Sequence, residues 1–230
     1  MSFEYIDKNA ELIKARIENA KKRSKYGQDV TLLAAVKYCT HEELVYLTEK
    51  AGVTKIGENR VQQLLEHIEY IDRSKVDIHF IGSLQTNKVK YIIDKVKMIH
   101  SLDSVKLAAE IDRQAKKHGI IMDVLAEINC GREESKGGLM PEEVEDFCRE
   151  ISGFSSINLC GFMTMAPKCE EKSEYLKYFD ETYKLFLDIW RKIVHNNIEP
   201  IVSMGMSDSF EEAIECGASI VRIGRNFFIK

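Results

Sequence analysis

Apolar residues recur along this chain with two different periods. Between Tyr5 and Lys25, Ile6, Ala10, Ile13, Ile17 and Ala20 fall three or four positions apart, the spacing of one buried helical face. Beyond this leading helix, short β-branched or apolar runs alternate with longer amphipathic stretches, which is how successive βα units read. The runs predict strands at Thr31–Val36, Lys55–Gly57, Ile78–Ile81, Met98–Ser101, Met122–Ile128, Ile157–Thr164, Pro200–Ser203 and Ser219–Ile223. Helices are predicted between them around Glu42–Lys50, Val61–Tyr70, Lys88–Lys95, Val105–His118, Glu142–Ser152, Glu174–Val194 and Phe210–Cys216.

Helix boundaries carry their own signals. Thr40, the pair Asp103/Ser104 and the pair Ser207/Asp208 stand just before helical runs, where side-chain oxygens accept from the first backbone N–H groups. Gly52, Gly119 and Gly217 stand where helices should stop. Eight strands, almost every one followed by a helix, predict an α/β fold: a single (β/α)8 TIM barrel with an extra N-terminal helix. The competing fold is an open doubly wound sheet, which usually carries a glycine-rich turn after its first strand. Here that strand runs into Val36-Lys37-Tyr38-Cys39 without a glycine, so the barrel is preferred.

Composition changes this picture little. The 230 residues are close to the roughly 250 of one such barrel. With only three prolines and thirteen glycines, and no Pro- or Gly/Ser-rich linker, residues 1–230 read as one domain. The net charge of −4 is spread over both signs and gives no electrostatic footprint for nucleic acid. No apolar run reaches the ~18 residues of a membrane span. The start, Met1-Ser2-Phe3-Glu4-Tyr5, lacks the basic and apolar regions of an export signal. Six scattered cysteines, without a C-x-x-C pair, read as reduced thiols of a cytoplasmic protein and match no zinc spacing.

In such barrels the chemistry sits at the C-terminal strand ends, which selects a few residues. Lys37 follows the apolar run Leu32-Leu33-Ala34-Ala35-Val36. A buried amine there would be desolvated, which lowers its pKa and frees it to attack an aldehyde. A lysine that snorkels to water fits the same position. Asn59 follows the second strand, as a ligand contact or as a helix cap before Val61. His79 lies in the third strand, with a ligand-contacting and a structural reading equally open. Asn129 follows the fifth strand, and Met163 to Met165 close the sixth. Lys136-Gly137-Gly138 lies in the long loop after the fifth strand, where a solvated lysine is the plainer reading. Ser203-Met204-Gly205-Met206-Ser207-Asp208 reads as a small-residue turn into a helix, and Arg222-Ile223-Gly224-Arg225-Asn226 as a glycine turn with a cation. Loops after the seventh and eighth strands commonly hold phosphate; ordinary strand-to-helix turns would look similar.

Taken together, these segments resemble the pyridoxal phosphate homeostasis family, related to the N-terminal barrel domain of alanine racemase. The resemblance rests on Leu33-Ala34-Ala35-Val36-Lys37, Gly57-Glu58-Asn59, His79-Phe80-Ile81-Gly82-Ser83-Leu84-Gln85-Thr86-Asn87-Lys88 and Ser135-Lys136-Gly137. It continues through Gly161-Phe162-Met163-Thr164-Met165, Ser203 to Asp208 and Val221-Arg222-Ile223-Gly224, so it spans nearly the whole chain. It implies that Lys37 holds pyridoxal 5′-phosphate (PLP) as a Schiff base. Asn59, His79 and Met165 would line the pocket, Ser203, Ser207, Gly224 and Arg225 would hold the phosphate, and Arg222 would face the pyridine nitrogen. Two positions depart from the family: Arg225 stands where Ser or Thr is common, and Ser209 where an acidic residue is usual.

The resemblance implies a protein of PLP homeostasis that binds the cofactor without efficient catalysis, with PLP-dependent apo-enzymes as the acceptors it would serve. An amino-acid racemase is the alternative. Racemisation needs an acid–base group on each face of the substrate. In the racemase relatives the second is a tyrosine of a C-terminal domain, for which this chain, ending at its eighth barrel unit, is expected to have no counterpart. A monomer is the matching expectation. A Schiff-base aldolase acting on a phosphosugar is a third reading, supported only by a lysine and a phosphate site in a barrel.

Overall fold

The computed structural model describes residues 3–133, 136–193 and 199–230. Two of the expectations above, Ser135 and the helix end at Val194, lie outside the described residues. Eight parallel strands close into a barrel in chain order: β1 (Thr31–Ala35), β2 (Lys55–Glu58), β3 (Asp77–Phe80), β4 (Met98–Leu102), β5 (Met122–Glu127), β6 (Ile157–Met163), β7 (Ile201–Met206) and β8 (Ile220–Ile223). Pairing of β1 with β8, Leu33 opposite Arg222, completes the ring.

Along each strand alternate residues face opposite ways. One set, with Ala34, Ile56, Phe80, Ile99, Val124, Phe162, Val202 and Val221, joins the apolar shell shared with the helices. The other set fills the barrel. Met98, Leu125 and Met163 form a separate cluster there, and a Cβ on Gly57 would press on the side chains of Leu33 and Ile81. This inner filling is more polar than the branched aliphatic layers usual in such barrels, because His79, His100, Ser203 and Arg222 belong to it and are buried.

Helix α1 (Glu4–Arg23) buries Ile6, Ala10, Ile13, Ile17 and Ala20, the face expected from their spacing. It lies against α7 (Phe210–Glu215) and the chain end, where Asn9 donates to the carbonyls of Phe227 and Ile229 at 3.1 and 2.8 Å. Between β1 and β2, α2 (His41–Glu49) starts with a reciprocal cap: Glu43 N–H donates to Thr40 Oγ1 at 3.2 Å and Thr40 N–H to Glu43 Oε2 at 2.8 Å. The remaining helices are α3 (Val61–His67), α4 (Val105–His118), α5 (Val144–Ile151) and α6 (Lys172–Ile193).

Three local expectations are corrected. The helix expected over Lys88–Lys95 is a 3₁₀ turn at Thr86–Tyr91. Val89 is its buried apolar residue, and the buried Ile92 and Ile93 follow at once, their N–H groups both donating to Val89 O, so the apolar run spans little more than one turn and needs no longer helix. The first strand stops at Ala35, which leaves Lys37 on an exposed turn. The seventh strand continues to Met206 through Gly205, whose φ of +89° lets it pass where a Cβ would lie 2.5 Å from Ala213 Cβ. Ser203 is therefore inside a strand and not in a turn before a helix.

Candidate functional site

The turns after β1, β2, β7 and β8 converge on a cleft of ≈ 350 Å³ at the C-terminal end of the barrel. Lys37, Asn59, Met165, Ser207, Arg222, Gly224 and Arg225 all line it, together with Ala35, Tyr38, Ile81, Met206 and Asp208. Lys37 is carried by a turn closed by Cys39 N–H donating to Val36 O at 3.3 Å, and Gln63 Nε2 donates to its carbonyl at 3.1 Å. Its Nζ stands 4.7 Å from the centre of the Tyr38 ring, which is 73% exposed. The amine reaches the cleft from an accessible turn, so the burial expected from the apolar run does not apply to it.

Asn59 resolves between its two readings. The residue capping α3 is Arg60, without a side-chain cap bond, and Asn59 instead lines the cleft. Its Oδ1 is buried with no hydrogen-bond partner among the described residues. An acceptor left bare costs about 1–3 kcal/mol, so this atom is poised for a donor that enters the cleft. Two glycines permit the closure of these turns. A Cβ on Gly82 would lie 2.1 Å from Asn59 O, and one on Gly224 would lie 2.8 Å from Ala35 O.

On the phosphate side expected from the sequence, Gly224 N–H donates to Ser207 Oγ at 3.3 Å and Asn226 Nδ2 to Ser207 O at 3.1 Å, pinning the two turns together. Arg225 forms an ion pair with Asp208, both exposed. Ser209 Oγ accepts from Met206 N–H at 3.3 Å and so braces the strand end.

Neither His79, expected beside the ring, nor Ser203, expected at the phosphate, lines the cleft. Both are buried in the barrel below the cleft, because their strand positions point inward one layer deeper. His79 Nδ1 lies 2.8 Å from His100 Nε2, and His100 Nδ1 lies 3.1 Å from Ser203 Oγ. Arg222 Nη1 donates to Ser203 Oγ at 2.7 Å and Nη2 to Thr164 O at 2.9 Å. Burial pushes His79 down to about 4 and His100 well below the usual imidazole value, so both rings are neutral at neutral pH. Burial also brings Arg222 down to about 10, with the Glu127 carboxylate opposing that shift, and the guanidinium stays charged. Glu127 in turn is raised to about 7, by burial first and by repulsion from Asp103 second.

Asn129 turns away from ligand chemistry: its amide donates to Glu133 O at 2.9 Å and accepts from Glu133 N–H at 3.1 Å, shaping the loop after β5. Lys136 is exposed on that loop. His100 and Glu127 were not singled out in the sequence. The available signal was register: each occupies the inward-facing set of its strand, as Met98 and Leu125 do.

The sequence profile described as "Alanine racemase, N-terminal domain" matches residues 8–228. A protein of Aquifex aeolicus named pyridoxal phosphate homeostasis protein is 39% identical over 213 residues, 93% of this chain and 92% of the relative. A crystal structure of an unknown protein from Bifidobacterium adolescentis superposes with a TM-score of 0.87 at 30% identity, covering 98% of this chain and 95% of that one. PipY of Synechococcus elongatus, solved with PLP bound, has a TM-score of 0.81 at 24% identity, over 96% of this chain and 100% of that one.

Proposed function

The chain belongs to the pyridoxal phosphate homeostasis proteins, within the alanine racemase N-terminal domain family, and on that premise we propose that it holds PLP as a Schiff base on Lys37 and serves the intracellular supply of this cofactor without efficient catalysis. The observation that carries the reading is the cleft itself. One accessible amine, Lys37, opens on a ≈ 350 Å³ space that also holds the partnerless Oδ1 of Asn59 and the buried cation Arg222. That volume falls in the ordinary range for small-molecule sites, about 300–1,000 Å³.

These residues fit the cofactor's chemical groups. Lys37 supplies the amine for the aldehyde. Ser207 and the Gly224–Arg225 turn would supply polar groups and a cation for the phosphate, and the Asn59 amide would offer a polar contact beside the ring. Arg225 already pairs with Asp208, so a phosphate would compete with that carboxylate for the guanidinium. When bound, the cofactor supplies an electron-withdrawing ring to amines attached to it. Arg222 limits that capacity, because a permanently charged guanidinium beside the ring nitrogen disfavours its protonation.

The racemase alternative has the shared domain in its favour. Racemisation needs acid–base groups on opposite faces of a planar substrate, which sets them about 7 Å apart, two van der Waals contacts. Tyr38 is the cleft's phenol, and its ring centre is 4.7 Å from Lys37 Nζ, too close to receive a planar ring between them. Six thiols without disulfides support a reducing compartment, and we place the protein in the cytoplasm as a monomer that passes PLP to apo-enzymes.

Borohydride reduction of PLP-loaded protein followed by peptide mass spectrometry tests the reading. A pyridoxyl group is expected on Lys37, and Lys37→Ala should lose both that adduct and the visible absorption band. An adduct elsewhere overturns the assignment. Incubation with L-alanine in D2O is expected to leave Cα–H unexchanged, whereas rapid exchange would establish the racemase.

A further inference from the structure

Beneath the cleft, a continuous line of buried polar side chains crosses the barrel: Arg222, Ser203, His100 and His79. None is more than 5% exposed, and consecutive members lie 2.7, 3.1 and 2.8 Å apart. We propose that Ser203 and His100 are the positioning residues of the site, fixing the Arg222 guanidinium at the cleft floor through a hydrogen-bond chain that runs in one direction only. The proposal rests on the PLP reading for its functional consequence but not for its structural content.

The direction follows from what each group can donate. A guanidinium has no acceptor, so Arg222 Nη1–H must donate to Ser203 Oγ. Ser203 is wholly buried, and its hydroxyl proton has one side-chain acceptor within reach among the described residues, His100 Nδ1. With Nδ1 accepting, neutral His100 carries its proton on Nε2 and donates to His79 Nδ1, which leaves His79 protonated on Nε2 as well. The reverse order would strand the buried hydroxyl proton and aim the His100 Nδ1–H dipole at the cation. In the assigned order every donor points away from Arg222, and each bond polarises the next.

This arrangement explains an otherwise costly choice. A charged guanidinium with no ion-pair partner in hydrogen-bond contact is expensive to bury. Here one nitrogen is held by a polarised chain and the other by Thr164 O, so the group is clamped between β7 and the residue that follows β6. The guanidinium plane is thereby fixed relative to the cleft, and the charge presented to a bound ring is set by residues that do not line the cleft themselves.

Two kinds of measurement test this. Nitrogen-15 NMR of the protein without added PLP should show Nε2–H tautomers for both His79 and His100, and separately resolved Nη protons for Arg222. Ser203→Ala and His100→Leu should collapse the Arg222 signals, while Ser203→Thr and His100→Asn, which keep the hydroxyl and an acceptor at the Nδ1 position, should restore them. With PLP added to each folded variant, Ser203→Ala and His100→Leu are expected to keep the Lys37 adduct, shift the visible band and weaken binding roughly tenfold, about 1.4 kcal/mol. Nδ1–H on His100, or Arg222 signals unchanged in Ser203→Ala, overturns the chain. An intact chain with a wild-type band and affinity in the folded variants overturns its bearing on the site. Failure of the unaltered protein to bind PLP would sink the PLP reading alone, since the NMR result stands without it.

Discussion

Burial holds the Glu127 carboxyl up at about 7, while it pushes His79 down to about 4 and His100 well below 6.5. The two effects act on stability in opposite senses. As pH rises from the ordinary carboxyl value of 4.5 towards 7, the unfolded chain has released the Glu127 proton and the fold retains it, so this group's contribution falls. The histidines contribute fully above 6.5, and their contribution is lost as pH falls, because the unfolded chain then binds protons that the fold refuses. Glu127→Gln removes this group's share of the opposition, while the carboxyls of Glu58 and Asp103, also raised by burial, keep theirs. The variant's unfolding free energy, from urea melts, should therefore rise with pH between about 5 and 6 more steeply than wild type by about 1.4 kcal/mol per unit. Equal slopes would move the titration of Glu127 out of that window. Lys37 teaches a related lesson. Its place after an apolar run marks it in the sequence, but whether its amine is desolvated depends on where the strand stops, and β1 stops at Ala35.

Elements hold these residues through their ends. The reciprocal Thr40–Glu43 cap starts α2 three residues after Lys37 and ties the turn that carries the amine to a helix. Thr40→Ala should cost about 1 kcal/mol of stability by chemical denaturation, while leaving borohydride-trapped PLP on Lys37; loss of the adduct would show that the cap also sets the amine's position. This cap was legible because its residues are contiguous and its bonds local. The same holds for Ser104, whose Oγ accepts from Leu107 N–H at 3.4 Å, and for Gly119, which ends α4 with a φ of +65°. The helix expected over Lys88–Lys95 was misread because a single turn of apolar residues suits a 3₁₀ turn and an α-helix alike.

At the scale of the whole molecule, α1 packs across α7, α2 and the C-terminal segment. Its apolar face does most of this, since Ile13 is 2% exposed and Ile6 fully buried. In its ion pairs, Arg16–Glu211 at 2.7 Å and Arg23–Glu215 at 2.6 Å, the arginines are partly open to water and the carboxylates less so. Ile13→Ala is expected to cost about 2–5 kcal/mol and Arg23→Ala less than about 1 kcal/mol, in urea melts. A larger effect for Arg23 would mean that charge, not burial, docks the helix.

The sequence by itself determined the barrel, the leading helix and the order of the strands whose C-terminal sides carry Lys37, Asn59, Ser207, Arg222 and Gly224. Those properties follow from the period of apolar positions and from local caps and turns, which are written residue by residue. Tertiary structure alone decided which inward-facing residues line the cleft and which lie beneath it. His79, His100, Ser203 and Arg222 come from four different strands, and their contact depends on barrel closure and on register shifts such as the one between Ser203 and Met206. A sequence pattern of period two shows that a side chain faces inward but not at which depth it meets the others.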